Sequence, residues 1–389
     1  MNALRVLLFG SLLLCPLAPL PLPAEVSVTS GEIAPLRITA HTGMKPQSKL
    51  WRSDGYWWGV FADSTGTHIW RMGGDRWIQS TTLSKETDIR ADVLASDRYV
   101  EILLFRGQAS SLVRCYMAEE YKTYGILNTK GTGPTIPVEL DPGVETATIA
   151  RDGDGRLWIA SDGEDQVNVR WLDPQSETVS GPYTLATGIT NDDICVVSRL
   201  SDGDVGVLWS NQNRQRYGFR RHASGGEPDD WFPDEIPADG SAIDHGEGMS
   251  DDHLSVSLGS DGTLYATVKT SYDTDGMPLV ACLVRGVHHR WDPLYHVDDE
   301  GSRGVTVLDE TKGTFAAVYT SYRDNSIVLK YSSVDTVSFS DRITLIEGTK
   351  LGGTRINNVS VPRTAISGRF PIIASQGDSL MHTVMVEFE

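Results

Sequence analysis

The chain has 389 residues, with 52 Asp plus Glu against 34 Lys plus Arg, a formal net charge of −18, and 40% hydrophobic residues. That apolar content can fill a sizeable core, which excludes a wholly disordered chain, and the 38 glycines follow no G-X-Y period, which excludes collagen. The acid excess argues against a nucleic-acid partner, because few cations are left to displace phosphate counterions.

The first element is a targeting segment. Residues 1–24 combine one positive charge, a short apolar run (VLLFGSLLL) and a Pro-rich stretch ending at Ala24. This is the pattern of a secretory signal peptide. The run is too short to span a bilayer, and no later stretch is apolar enough, so no transmembrane segment is expected. A secreted or periplasmic location follows. Lipid attachment through Cys15 is the less favoured alternative, because bulky Leu14 precedes it. Residues 25–389 are expected to form one domain and to act as a monomer. Cys115, Cys195 and Cys282 remain in that part, with no CxxC pair. Each sits in an alternating apolar run, so three buried, unpaired thiols are expected.

From Leu50 onward short apolar runs alternate with turn residues. One hairpin type recurs about every 50 residues, with turns at Asp54-Gly55, Asp97-Arg98, Asp154-Gly155, Asp202-Gly203, Asp261-Gly262, Lys312-Gly313 and Ser367-Gly368. An apolar or aromatic strand follows each turn: YWWGVF, YVEILLF, RLWIAS, VGVLWS, TLYATVKTS, TFAAVYTS and RFPIIAS. Seven units of about four strands define an all-β, seven-bladed β-propeller; a two-sheet sandwich is the alternative. The last unit lacks a fourth strand, and a spare strand stands at residues 36–41 (LRITAH). That strand is expected to close the ring by pairing beside the C-terminal strand.

In such a ring the innermost strands line a channel, and the loops that begin them converge on one mouth, the default ligand site. The sequence places Lys49, Arg90, Asp92, Glu145, Asp192, Asp193, Asp252, His253, Arg303, Asn357 and Asn358 at those starts. Lys269, Tyr272, Tyr322 and Arg323 stand in the loops that follow the second strands. His253 can serve as general base or acid, since its ordinary pKa is near neutrality; the alternative is a hydrogen bond to neighbouring blade backbone. Asp152-Gly153-Asp154-Gly155 resembles a calcium loop without its distal Glu, and its place at a hairpin favours a plain turn. A structural calcium ion is the one cofactor the sequence leaves room for, and no other metal site is assigned.

The TATIARDGDGRLW and DGTLYA stretches resemble the strand–turn–strand repeats of secreted bacterial propellers, and the whole mature chain is similar to the sialidase-like, BNR-type seven-bladed group. Ser64 to Trp70 (STGTHIW) resembles that group's S-x-D-x-G-x-x-W box but lacks its Asp. The group contains polysaccharide lyases and some glycosidases. The resemblance therefore implies a carbohydrate-active propeller acting on a polysaccharide or oligosaccharide by elimination or hydrolysis. For elimination from a uronate, His253 and Tyr272 offer a base, with Lys269 beside them, and Arg303 offers a cation for the sugar carboxylate. Tyr322, Arg90, Asp92, Glu145, Asp193 and Asn358 are the remaining candidate sugar contacts, and Asp92, Glu145 and Asp193 offer the carboxylates for hydrolysis. The reading from another class is a non-catalytic glycan-binding or protein-interaction propeller. A lectin usually repeats one motif around its ring, and no sevenfold repetition of loop residues is seen.

Overall fold

The structure is a computed structural model that describes residues 26–27, 33–43, 45–128, 133–174, 176–243 and 245–389. Residues 1–24, expected to be a signal peptide and including Cys15, lie outside the described residues.

Seven antiparallel sheets stand around one axis as the blades of a β-propeller. Blade 1 runs Leu50–Ser53, Tyr56–Asp63, Gly66–Gly73, Arg76–Ser84 from the axis outward. Blade 2 has Arg90–Ser96, Tyr99–Phe105 and Ala109–Ala118, with Thr123–Ile126 and Thr135–Glu139 sharing its outer edge. Blade 3 is Ala147–Arg151, Leu157–Asp162, Gln166–Leu172 and Ser180–Thr187. Blade 4 is Cys195–Arg199, Val205–Asn211 and Arg216–His222, its outer edge reduced to the bridges Phe219↔Glu235 and His222↔Trp231. Blade 5 is Leu254–Leu258, Leu264–Lys269, Val280–Arg285 and Tyr295–Asp298; blade 6 is Ser302–Asp309, Thr314–Ser321, Ser326–Ser333 and Ile343–Glu347. Blade 7 is Ile356–Ser360, Phe370–Gln376 and Leu380–Phe388, completed from the N-terminus.

Each sheet is covered on both faces by its neighbours, so the second strands are apolar on both sides rather than alternating. Val205–Asn211 is buried along its whole length. The core is therefore a set of wedges between blades. Trp158, Val167 and Val169 of blade 3, for example, pack on Val205, Val207 and Trp209 of blade 4. Cys115, Cys195 and Cys282 lie in these wedges, buried and unpaired, and burial pushes the Cys115 thiol up to about 12.

All seven hairpin turns fall between a first and a second strand. Asp152 organises the third: its carboxylate accepts from the backbone N–H of Asp154 (3.1 Å) and Arg156 (2.9 Å) and from the Trp158 indole (3.0 Å). The seventh is not tight. Residues 361–369 form a long connection, and Arg363 within it reaches across the channel to the carbonyls of Ile149 (3.1 Å) and Pro46 (3.2 Å) and to Asp92.

Ring closure uses an N-terminal strand, with a shifted boundary. The pairing strand is Ile33–Arg37, not 36–41, with Ile33↔Thr383, Leu36↔Met381 and Arg37↔Leu380; Val26–Ser27 extends it beside Glu387 and Phe388. The strand ends early because the next one begins at the axis. From Ile38 the chain leaves the rim, donating from Ile38 N to Ser379 O (3.1 Å) and from Thr39 N to Ala62 O (3.0 Å). Trp77 of blade 1 ties the seam, its indole donating to Thr383 Oγ1 at 3.0 Å. Deleting the residues before Thr42 should open this edge and re-expose the site of Ile33 and Ile38, both buried. A loss of about 3–6 kcal/mol in urea unfolding is expected; an unchanged midpoint would contradict the seam.

Candidate active site at the channel mouth

The first strands of all blades begin on one face of the ring, so the residues that start them converge there. Residues 38–49 cross the same face from rim to axis. The crossing is close: a Cβ on Gly43 would lie 2.6 Å from the Asn358 carbonyl carbon, so glycine is required. Thr42 Oγ1 donates to Asn358 O (2.5 Å), Gln47 Nε2 to Ala147 O (2.9 Å) and Ser48 Oγ to Val361 O (2.8 Å). Beneath them Asp92, fully buried, accepts from Ser48 N (2.9 Å), Ile149 N (2.8 Å) and Arg363. Gln47, Ser48, Asp92 and Arg363 are thus tied together in the channel interior beneath the mouth.

On the side of blades 3 to 5 the mouth is a charged network. Lys45, held in the left-handed region at φ 51°, places its ammonium 2.7 Å from Glu145, 3.1 Å from Asp252 and 3.3 Å from Asp192. Lys269 Nζ lies 2.7 Å from Asp251 and 3.4 Å from Asp252. Ser271 Oγ donates to Asp251 at 2.6 Å. His253 Nδ1 hydrogen-bonds Asp252 Oδ1. Burial pushes Asp252 up, but its hydrogen bonds with His253 and Asp251 and the charges of His253 and Lys45 outweigh this and hold it well below the usual carboxylate range. Burial, and then Asp252 itself, push Asp251 up. An ionised Asp252 can only accept, so Nδ1 of His253 carries the proton. Burial, with the charges of Arg303 and Lys45, depresses His253 to about 4. The imidazole is therefore neutral at pH 7, and its Nε2 lone pair is buried with no partner among the described residues. The ligand atoms of Asp251, Asp252 and His253 lie within 4.8 Å of one another, the spacing of a cation site, but the two lysine ammoniums already neutralise those carboxylates.

The side of blades 6 and 7 is basic. Each first strand opens with a bulge: the register slips between Ser302 and Val305 and between Asn357 and Ser360. Arg303 (φ 58°) and Asn358 (φ 56°) sit in these bulges in the left-handed region, a device that re-aims side chains at functional sites. Arg303 Nε is buried with no partner among the described residues. Tyr322 is pushed up by burial, yet hydrogen bonds from Ser302 and Arg303 and the charges of Arg303 and Arg355 bring its phenol below the usual value. The Arg355 guanidinium lies 3.9 Å from the Tyr322 ring centroid. Among the described residues neither arginine has a carboxylate within salt-bridge distance.

The structure thus brings His253, Lys269, Arg303, Tyr322, Glu145 and Asn358 to the mouth. Arg90 also starts there, its guanidinium 5.1 Å from the Phe105 ring centroid. Three candidates go elsewhere. Tyr272 is 2% exposed and packs with Met249 and Leu254 between blades 4 and 5, because its side chain turns back into the wedge; its oxygen lies 3.4 Å from Ile243 N. Asp92 belongs to the channel filling. Asp193 is fully buried and caps its own loop, accepting from Thr190 N (2.8 Å) and Gln212 N. Sequence reasoning missed Lys45, Ser271 and Arg355. Lys45 belongs to no repeat, and the signal that could have found it is topological: closure at the rim obliges the next segment to cross the mouth.

This fold defines a seven-bladed β-propeller. No protein-family model matches the chain, and no curated protein sequence matches it. Solved structures do. The polysaccharide lyase Uly1 superposes with a TM-score of 0.53 at 8% identity, over 88% of this chain and 90% of that one. A protein from Lactobacillus plantarum matches at 0.53 and 14% identity, over 78% and 86%. The WD40 domain of Toxoplasma gondii coronin matches at 0.51 and 10% identity, over 94% and 89%. Among the described residues no helix is long and apolar enough to cross a membrane.

In nitrogen-detected NMR at pH 7, His253 should show a neutral ring with the proton on Nδ1. An imidazolium, or the Nε2–H tautomer, would contradict the Asp252 pairing.

Proposed function

We propose that the protein is a carbohydrate-active propeller that cleaves an anionic polysaccharide at this mouth by β-elimination, after export by its signal peptide to the periplasm or the exterior. The observation that carries the reading is His253: a buried, neutral imidazole whose Nε2 has no hydrogen-bond partner among the described residues, near Arg303, which has no carboxylate within salt-bridge distance among them. The superposition on a polysaccharide lyase supports it at the level of fold. The sialidase-like, BNR-type resemblance rests on the sequence repeat alone, without that group's complete box.

The chemistry assigns roles. Arg303 and Arg355 receive the uronate carboxylate and neutralise it, which makes the C5 proton acidic. Nε2 of His253, covered in this structure, takes that proton once the bound sugar displaces its cover, Asp252 stabilising the imidazolium as it forms. The C5–H electron pair becomes the C4=C5 double bond, and the C4–O bond to the leaving sugar breaks. Tyr322, whose phenol is already lowered, gives the leaving oxygen its proton and is later reprotonated from solvent. Lys269 holds Asp251 and Asp252 in place. Hydrolysis is less well supported, since of the three expected carboxylates only Glu145 reaches the mouth, and it is bound to Lys45.

A screen on uronate polysaccharides should give an ultraviolet-absorbing unsaturated product. His253→Ala should then lose turnover by about 10²–10⁴-fold while folding normally, and Arg303→Ala should weaken binding of carboxylated more than of neutral sugars. An active His253→Ala protein would overturn the assignment of the base. Binding of a glycan without turnover would make the mouth a recognition site instead.

A further inference from the structure

We infer that Lys45 is a positioning residue for the His253 base, delivered to the mouth by the segment that closes the ring. The inference rests on the reading of His253 as a base and adds to it a group outside every blade.

Asp252 is the link. Its Oδ1 accepts from His253, and its Oδ2 lies 3.1 Å from Lys45 Nζ. The carboxylate is thereby held at both oxygens and cannot turn without breaking one contact, and its orientation sets that of the imidazole. Lys269 adds a contact to Oδ1 at 3.4 Å, on the same side as His253, so it cannot replace Lys45 at Oδ2. Lys45 also joins Glu145 of blade 3 and Asp192 of blade 4 to Asp252 of blade 5. Without its ammonium, three carboxylates would share one depression, and repulsion would favour turning or protonating Asp252.

The backbone around Lys45 is arranged for this placement. A non-glycine residue is strained in the left-handed region and stays there only where its surroundings enforce it. Here Thr42 is anchored to Asn358 and Gln47 to Ala147 on either side. The charged and titratable groups that face the Asp252–His253 pair are Asp251 and Lys269 of blade 5, Glu145 of blade 3, Asp192 of blade 4, Arg303 of blade 6 and Lys45 itself. Behind them stand Asp193 and Tyr217 of blade 4, the Tyr217 hydroxyl donating to the Lys269 carbonyl.

The test uses Lys45→Met and Lys45→Arg in the full chain, with two readouts: the His253 ring titration by NMR, and the pH dependence of kcat/KM on a uronate polysaccharide that the parent cleaves. Removing the cation alone would raise the His253 midpoint, but a turned or protonated Asp252 withdraws the larger influence that raises it, so the positioning role predicts a midpoint below the parent's value of about 4 in Lys45→Met. The acid limb of the rate profile should move down with it. Turnover should fall about tenfold with KM little changed, and Lys45→Arg should restore both. An unchanged or raised midpoint in Lys45→Met would show Asp252 still in place and would overturn the inference. If that variant does not fold, Lys45→Gln, of similar length, gives the same comparison; failure of both to fold would make Lys45 a structural residue and overturn the positioning role. The titration needs no substrate, so the two readings separate. A lowered midpoint in a protein that cleaves nothing ends the lyase reading and leaves the Lys45–Asp252 link standing, and an unchanged or raised midpoint in an active enzyme does the reverse.

Discussion

Closure of the ring is the constraint on which the remaining architecture depends. Seven sheets can share inter-blade cores only if the last is held to the first, and an open C-terminal strand would expose an unpaired edge. The chain solves this by pairing Ile33–Arg37 outside Leu380–Phe388. That solution has a geometric consequence. The closing strand lies at the rim, the next strand in sequence lies at the axis, and both ends of the link are on the mouth face. Residues 38–49 must therefore run over the mouth, and their side chains become part of whatever the mouth does.

The same crossing settles the electrostatics. Strand starts from blades 3, 4 and 5 bring Glu145, Asp192, Asp251 and Asp252 together, a cluster that could not stay ionised alone in a partly buried site. Lys45 from the crossing segment and Lys269 from blade 5 offset two of these four charges, and Asp251 stays pushed up. At the start of blade 6 Glu300 is taken up by Arg342 at 2.7 Å, and two bulges turn Arg303 and Asn358 at the starts of blades 6 and 7. His253 stands at the boundary. Its Nδ1 faces the acidic side through Asp252, and its charge state is influenced by Arg303 on the basic side. A sugar carrying a carboxylate matches this asymmetry better than a neutral one, because Arg303 and Arg355 have no carboxylate within salt-bridge distance among the described residues, whereas Glu300 and Asp324 are taken up by Arg342.

The repeat was legible because each hairpin needs a tight turn and each second strand must be apolar on both faces. Those two demands leave Asp-Gly pairs and runs such as VGVLWS in the sequence. Closure was legible from a missing fourth strand, although its register was not, since the pattern of LRITAH does not say where the chain must leave the rim. The site was legible by half. His253 and Arg303 stand at strand starts, where topology alone dictates the mouth. Tyr272 was misplaced because position after a strand does not say which way a side chain turns, and the wedge between blades 4 and 5 had room for a ring. Asp92 and Asp193 satisfy backbone N–H groups, a use that acids at strand starts share with catalysis and that only coordinates separate. Lys45 was invisible because it lies between repeats.

The central claim is that one asymmetric pocket, with His253 between an acidic and a basic half, engages an anionic sugar. A crystal structure of the His253→Ala protein with a uronate oligosaccharide tests it most directly. The account predicts one oligosaccharide in the mouth, its carboxylate against Arg303 and Arg355 and its C5–H facing the place of the lost imidazole. Sugar bound at the outer edges of several blades, with the mouth empty, would contradict it.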